Sequence, residues 1–247
     1  MGAPRVREGV AVEALPRVCV PGGVGPGTLE LGDEQARHLA GSRRLRRGDA
    51  FLVFAGDGVE YRARVEGASR DRVTATVGEV TRREAPTART VAVWCANVRP
   101  NRMEWAIEKC VEAGVDVFRP ITTERAARGQ ELSESRQERW QRIAIEAAEQ
   151  CGRLYLPAVE PVATLDAALE GWQGSLVVAS PGGAPWAEVA RGLPERAALA
   201  LAIGPEGGFS EEEVARAVEA GAAVASLGPN TLRTETAAVV AVALARA

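Results

Sequence analysis

The pattern of apolar residues changes near residue 87, and this change most constrains how the chain can fold. Before it, short runs rich in Val, Phe, Tyr and Thr alternate partially with polar residues. After it, continuous apolar runs such as Thr90–Val98 and Ala197–Ile203 are separated by helical stretches. Continuous apolar runs are typical of strands buried on both faces of a parallel sheet. The sequence therefore predicts a small β-barrel followed by an α/β domain with a mainly parallel sheet.

The boundary between the two domains is placed in the polar stretch Arg82–Arg89. In the first domain, Asp57-Gly58 lies between two strand-like runs and is a strong hairpin signal. The predicted strands of this domain are Thr28–Leu31, Ala50–Phe54, Val59–Val65 and Arg72–Val80. We predict three parts, namely an N-terminal extension (1–16), a β-barrel domain (17–86) and an α/β domain (87–247).

Strands and helices alternate in the second domain, and two helix starts carry capping residues. Asn101 is predicted to cap a helix that runs to Glu112, and Ser210 is predicted to cap another with Glu213 at the capping-box position. Further predicted helices are Glu134–Gln150 and Thr234–Ala245, and the predicted strands are Thr90–Val98, Val115–Ile121, Ser175–Ala179, Ala197–Ile203 and Ala223–Leu227. Ligands of open parallel sheets bind outside the carboxyl ends of the strands, so a site is expected there.

The formal net charge of −3 argues against a nucleic-acid partner only if charge is evenly spread, and it is not. Residues 1–86 carry a balance of +2 and residues 87–247 a balance of −5. Five arginines fall within eleven residues that contain no acid: Arg37, Arg43, Arg44, Arg46 and Arg47. Such asymmetry indicates contact with nucleic acid or a membrane. A solvated face remains an alternative, because 29 Arg against one Lys suggests a coding bias.

Several familiar kinds of site are not supported by the sequence. The four cysteines are far apart and form no CxxC, so neither a metal site nor a disulfide framework is expected. There is no P-loop, no GxGxxG before a helix and no GxSxG. No apolar run reaches membrane-spanning length, and Met1–Ala14 lacks the features of a signal peptide. We therefore expect a cytoplasmic protein with no membrane partner.

Two strand ends carry the strongest functional signal. The first is GPEGGFS (Gly204–Ser210), a Gly/Pro loop with an embedded Glu between a buried strand and a capped helix. The second is LGPNTLRTETA (Leu227–Ala237), where a loop opens an apolar helix with polar residues at its N-terminal end. Free backbone N–H groups and the helix dipole favour a polar or anionic ligand at such an end. Plain turn geometry and simple capping by Thr234 remain the alternatives.

These two motifs together resemble the signature of the RsmE family, the 16S ribosomal RNA uracil-N3 methyltransferases of the SPOUT superfamily. Further matching segments are Glu108–Val115, Pro120–Arg125, Arg142–Ala144 with Glu149–Arg153, and His38-Leu39 with Leu45-Arg46 and Gly48-Asp49. The resemblance implies a PUA-like β-barrel followed by a SPOUT-type, trefoil-knotted parallel-sheet domain. It also implies S-adenosylmethionine as methyl donor, 16S rRNA in the small ribosomal subunit as partner, and a homodimer.

The resemblance assigns residues to each role. The cofactor-binding residues it implies are Ser180, Gly204, Pro205, Glu206, Gly207, Leu227, Gly228, Leu232, Arg233 and Thr234. Arg233 would stabilise negative charge on the base, and Glu235 or Glu206 would accept the N3 proton. A purely structural role for either acid remains an alternative. The RNA-binding residues it implies are Arg17, Arg37, Arg43, Arg44, Arg46, Arg47 and Arg102, the last where the family often has Lys. An RNA-binding assembly factor without catalysis, and a SPOUT methyltransferase for another base, remain alternatives.

Overall fold

The computed structural model describes residues 15–37, 39, 44–69, 71–126 and 134–247. The chain divides into two compact units, one ending at Arg83 and the other beginning at Glu84. Glu84 belongs to the second unit because its carboxylate accepts a 2.9 Å hydrogen bond from the backbone N–H of Leu154. Most of the predicted extension, together with His38 and Arg43, lies outside the described residues.

The first unit is built on a five-stranded sheet with the order β1-β3-β4-β5-β2. Its elements are β1 (Arg17–Cys19), β2 (Gly27–Leu31), α1 (Asp33–Ala36), β3 (Ala50–Phe54), β4 (Val59–Ala68) and β5 (Val73–Arg83). β1 pairs with β3 in parallel, whereas the other pairs are antiparallel. Asp57 forms the predicted hairpin turn between β3 and β4 by accepting a 3.1 Å hydrogen bond from the N–H of Val59.

The second unit contains a parallel sheet with the strand order β12-β10-β11-β6-β7-β8, and β9 also pairs with β7. Its strands are β6 (Val91–Ala96), β7 (Val117–Thr122), β8 (Ala158–Val159), β9 (Ala163–Thr164), β10 (Ser175–Pro185), β11 (Leu199–Ile203) and β12 (Ala223–Ser226). Its helices are α2 (Pro100–Glu112), α3 (Glu134–Cys151), α4 (Leu165–Glu170), α5 (Trp186–Arg191), α6 (Glu211–Glu219) and α7 (Thr234–Arg246). The prediction of an α/β domain with a parallel sheet is confirmed.

Both faces of this sheet are buried, which explains the continuous apolar runs. Val93 and Cys95 of β6 belong to the core formed with α2, α3 and α7. The alternate residues Ala92 and Trp94 belong to the core on the other face, which α4 and α6 complete. Side chains of a strand point alternately to opposite faces, so a strand covered by helices on both sides must be apolar throughout.

Three helix starts test the predicted capping residues. Ser210 caps α6, and the capping box with Glu213 is present, as predicted. The prediction for Asn101 is wrong, because α2 begins at Pro100 with Arg99 as its N-cap. Proline is favoured at a first helical position, where no N–H donor is needed. Thr234 is the first residue of α7 rather than its cap, which is Arg233.

An ion-pair cluster fixes the end of the sheet opposite the carboxyl ends of the strands. Asp116 accepts hydrogen bonds from the backbone N–H of Val91 at 2.9 Å and from the guanidinium of Arg153 at 3.0 Å. It also pairs with Arg246 of α7, which donates to the backbone carbonyl oxygens of Arg89 and Gly114. The C-terminal helix is thus joined to the starts of β6 and β7.

Across the described ranges of the chain, no helix is both long and apolar enough to cross a membrane. Within the same ranges, no three His, Cys, Asp or Glu residues are grouped in a way that could hold a metal ion.

Candidate functional site

A cavity of about 300 Å³ lies at the carboxyl ends of β10, β11 and β12. Nine of the ten residues predicted to bind the cofactor line it, namely Ser180, Gly204, Pro205, Glu206, Gly207, Leu227, Gly228, Leu232 and Thr234. Its wall also contains Ala179, Pro181, Ile203, Gly208, Ser226, Asn230, Thr231 and Ala237. The two motifs, with 16 residues between them in the chain, form one cavity because they follow β11 and β12, which both pair with β10.

Two glycines allow the backbone to approach closely around this cavity. A Cβ added at Gly204 would lie 3.1 Å from both the backbone N and the ring of Phe209. A Cβ added at Gly183, in the irregular part of β10, would lie 2.7 Å from the backbone of Ala225. Real Cβ atoms do not tolerate the second distance, so glycine is required for β10 to approach β12 there.

Two side chains from outside the motif hold the loop that follows β11. The buried carboxylate of Glu213 accepts hydrogen bonds from the N–H of Ser210 at 2.8 Å and from the N–H of Glu124 at 2.9 Å. Arg125 donates to the carbonyl oxygens of Gly207 at 3.0 Å and Phe209 at 3.2 Å. The segment after β7 therefore supports the GPEGGFS loop.

A single hydrogen bond joins the two motifs directly. The hydroxyl of Thr234 donates to the carbonyl oxygen of Gly204 at 3.0 Å, and Thr234 is buried. This contact explains why a threonine stands at the start of α7 although it does not cap the helix.

Arg233, the tenth predicted cofactor residue, is not among those that line the cavity. Its side chain is exposed at the start of α7 and, with respect to the described residues, makes no hydrogen bond or ion pair. Glu235 is buried, and its Oε2 atom has no hydrogen-bond partner. Burial raises the pKa of the Cys95 thiol to about 12, and the nearby Glu235 carboxylate contributes to this shift.

Arg102 makes different contacts from those expected of a residue that only binds RNA. Its guanidinium forms an ion pair with Glu206 of the first motif and lies 3.7 Å from the Oε1 atom of Glu235 in the second. An arginine from α2 thereby connects the carboxylates of both motifs. The sequence did not indicate this pairing, since more than 100 residues separate Arg102 from either acid.

The other predicted RNA-binding arginines belong to the first unit. Arg37, Arg44, Arg46 and Arg47 are exposed. Arg44 adopts a positive φ of 55°, and the backbone N–H of Arg46 donates to Asp49 at 2.8 Å. Arg17 instead donates at 2.8 Å to Glu60, whose side chain is only 4% exposed, so its charge is used within the fold. Arg43 lies outside the described residues.

A second cavity, of about 410 Å³, lies beside the first and was not predicted. Its wall consists of Asn97, Val98, Arg99, Arg102, Arg125, Pro205, Glu206 and Gly207, so the two cavities share the Pro205–Gly207 segment. Asn97 and Arg99 follow β6, the strand beside β11. The rule that ligands bind at the carboxyl ends of parallel strands could have indicated Asn97 and Arg99. No sequence motif, however, distinguished the end of β6 from the other strand ends.

Comparison with known proteins identifies the class to which this fold and this cavity belong. The RNA methyltransferase domain family matches residues 84–246, and the RNA methyltransferase PUA domain family matches residues 31–78. The chain thus combines the catalytic and accessory domains of an RNA methyltransferase.

The relatives define the family more narrowly. Ribosomal RNA small subunit methyltransferase E of Bacillus subtilis is 32% identical over 224 residues, which are 85% of this chain and 86% of that protein. The Synechocystis protein of the same name is 34% identical over 242 residues, which are 94% and 77% of the two chains. The chain belongs to the ribosomal RNA small subunit methyltransferase E family, and the resemblance to the RsmE family is confirmed.

Solved structures agree with this assignment. A Legionella pneumophila methyltransferase structure with bound SAM has a TM-score of 0.86 at 30% identity and covers 94% of this chain and 97% of that one. The methyltransferase E of Neisseria gonorrhoeae, solved with S-adenosylmethionine, has a TM-score of 0.81 at 30% identity, with 93% and 95% covered.

Proposed function

We propose that this protein transfers a methyl group from S-adenosylmethionine to N3 of a uridine in 16S rRNA, and that its substrate is the assembled small ribosomal subunit. The observation that carries this proposal is the cavity formed jointly by the two RsmE-like motifs at three strand ends. The relatives of the same family are ribosomal RNA small subunit methyltransferases by name, which supports the choice of RNA.

The cavity suits S-adenosylmethionine in size and in the character of its wall. Its volume of about 300 Å³ is at the lower end of the range of small-ligand pockets. Leu227 and Leu232 would flank the adenine ring, and backbone groups of the glycine-containing loops would bind its polar edge. When bound, S-adenosylmethionine would supply a methyl group on a sulfonium. The Legionella and Neisseria relatives were solved with this ligand.

We also propose that the C-terminal segment forms the trefoil knot of the SPOUT superfamily. The strand order β12-β10-β11-β6 places the last strand at the edge of the sheet, while α7 packs in the core formed by β6 and β11. The chain must therefore cross back past the ends of β10 and β11 after β12, and Thr234 is hydrogen-bonded to Gly204 on that path.

The reaction requires loss of the N3 proton, formation of the N3–CH₃ bond and cleavage of the sulfonium S–CH₃ bond. The exposed guanidinium of Arg233 would stabilise the negative charge that develops on the base. The Glu235 carboxylate, whose Oε2 atom has no partner, would accept the proton. Arg102, which lies 3.7 Å from the Oε1 atom of Glu235, would help to orient this carboxylate.

RNA binding would use arginines of the first unit. The exposed Arg37, Arg44, Arg46 and Arg47, together with Arg43, would contact phosphates. Such contacts provide affinity and salt dependence rather than sequence choice.

We further propose a cytoplasmic homodimer. Trp105 on α2 is 43% exposed in a groove between α2 and α3, and an exposed Trp of this kind favours a protein interface.

A methyl-transfer assay tests the proposal directly. Labelled S-adenosylmethionine is supplied with unmodified small subunits, with intact ribosomes and with naked 16S rRNA, and the modified base is mapped. We expect N3-methyluridine in the small subunit. Methylation of another base would support a different SPOUT specificity. Absence of S-adenosylmethionine binding by calorimetry at near-millimolar ligand would instead support an assembly factor without catalysis.

A further inference from the structure

The second cavity contains a buried polar group whose hydrogen bonding is incomplete. Asn97 lines this cavity and is only 6% exposed, and its Oδ1 atom has no hydrogen-bond partner. Nearly all buried polar groups in proteins are paired, because an unpaired one loses its hydration without compensation. Because Asn97 lines the cavity, a ligand that supplies a hydrogen-bond donor would complete the pairing of its amide oxygen.

The charge around the same cavity favours an anionic ligand. Three arginines line it against one acid, Glu206. The guanidinium of Arg102 already pairs with the carboxylates of Glu206 and Glu235. That of Arg125 donates to carbonyl oxygens of the loop after β11. Arg99 is exposed, and its guanidinium has no hydrogen bond or ion pair with any residue that the structure describes. It is therefore the cation available for a phosphate.

The position of the cavity limits which part of the reaction it can serve. It shares the Pro205–Gly207 segment with the proposed cofactor cavity, so a ligand in each would lie on either side of one loop. Methyl transfer brings two molecules together, and the second must reach the methyl group at the edge of the cofactor cavity.

We infer that the second cavity receives the nucleotide that is methylated, with Asn97 binding the nucleoside and Arg99 its phosphate. This inference rests on the proposed methyltransferase activity. The only N–H of a uracil base in RNA is the N3–H, and its proton is lost in the reaction. The donor that remains for Asn97 Oδ1 throughout is therefore the ribose 2′-hydroxyl, which can both donate and accept a hydrogen bond. The N–H groups of the same amide bind a base carbonyl oxygen.

The first test uses Asn97→Ala and Arg99→Gln, with Arg196→Gln as the control. Arg196 is exposed in the turn before β11, at the opposite end of that strand. With small subunits as substrate, Asn97→Ala should lower kcat/KM by about 10²-fold, as does loss of one preorganised polar contact. Arg99→Gln should raise KM and lower the slope of log affinity against log salt by about 0.7 to 0.9. Arg196→Gln should do neither.

The second test substitutes 2′-deoxyuridine at the mapped uridine in reconstituted small subunits. The wild-type enzyme should lose activity on this substrate by about 10-fold or more, whereas Asn97→Ala should show no further loss. Equal losses for both enzymes would overturn the contact between Asn97 and the hydroxyl.

Calorimetry with S-adenosylmethionine separates failure of this inference from failure of the proposed function. All three variants should bind it within about twofold of wild type. Wild-type kinetics for both Asn97→Ala and Arg99→Gln would overturn the inference while the methyltransferase activity stands. If Asn97→Ala does not fold, Arg99→Gln decides alone, and an unchanged KM and salt slope would then reject the cavity as the nucleotide subsite.

Discussion

The hydroxyl of Thr234 lies 3.0 Å from the carbonyl oxygen of Gly204 and donates a hydrogen bond to it, which joins the two loops of the proposed cofactor cavity. Replacement of Thr234 by Val keeps the shape of the side chain and removes the donor. We expect the Kd for S-adenosylmethionine to rise by about 2- to 10-fold, since one such bond contributes about 0.5 to 1.5 kcal/mol. Calorimetry measures this, and Thr236→Val, two residues further along α7, is the control. An equal effect of both changes would contradict the role of the contact.

Arg233→Ala should separate catalysis from cofactor binding. Because Arg233 does not line the cofactor cavity, its removal should leave the Kd for S-adenosylmethionine nearly unchanged. Turnover should fall by about 10²-fold or more if the guanidinium stabilises charge on the base. Single-turnover methylation of small subunits measures this, with Arg196→Ala as control. Turnover at the wild-type rate would remove the proposed role of Arg233.

Arg102→Gln should destabilise the fold as well as the activity. Glu235 is 8% exposed, and the substitution removes the cation 3.7 Å from it. A buried carboxylate that loses its partner lowers the free energy of unfolding by about 1 to 3 kcal/mol. Urea unfolding measures this decrease. The double variant with Glu235→Gln should recover most of this loss, because no buried charge remains, but it should stay inactive. Failure to recover stability would show that Arg102 acts elsewhere.

Glu213→Ala should weaken the loop that follows β11. The change removes hydrogen bonds to the N–H groups of Ser210 and Glu124, both of which are held by this one buried carboxylate. We expect the free energy of unfolding to fall by about 2 to 4 kcal/mol. Glu212 is the preceding residue in the same helical turn, and its side chain is exposed. Glu212→Ala should therefore change the free energy of unfolding by less than about 0.5 kcal/mol. Similar values for the two variants would contradict the proposed support.

The basic cluster of the first unit can be tested with a matched pair of double variants. Arg46→Gln with Arg47→Gln removes two exposed charges, and Arg191→Gln with Arg196→Gln removes two from the second unit. If the first pair contacts phosphates, the salt slope of RNA binding should fall by about 1.5, whereas the control pair should leave it unchanged. Filter binding at several salt concentrations gives the slope. Equal slopes would identify the cluster as a solvated face.

The sequence predicted most strands and the long helices of the second unit, because burial on both faces forces residues such as Val93 and Trp94 to be apolar. It also singled out the two motifs that line the cavity at the ends of β10, β11 and β12, since glycine requirements and strand ends leave a local signal. Short elements were missed: β1, α4 and α5 contain three to six residues, too few to show a period.

The contacts made by single polar residues could not be predicted. The pairing of Arg102 with Glu206 and Glu235 depends on which strands are neighbours in space. The same holds for Arg17, whose partner Glu60 is 43 residues away. Asn97 was missed because its significance lies in a missing partner, which only the folded structure reveals.

The assembly of the proposed cofactor cavity from segments of the second unit has a consequence for protein synthesis. Its lining begins at Ala179 and ends at Ala237, and α7 is secured by Arg246 against Asp116. A ribosome translating this message therefore completes the proposed methyl-donor site only after Ala237 has been added to the chain. A product released early, by a nonsense codon or by stalling before α7, would carry the arginine-rich first unit without a complete cavity. If that unit contacts RNA as proposed, such a product would compete for RNA that it could not methylate.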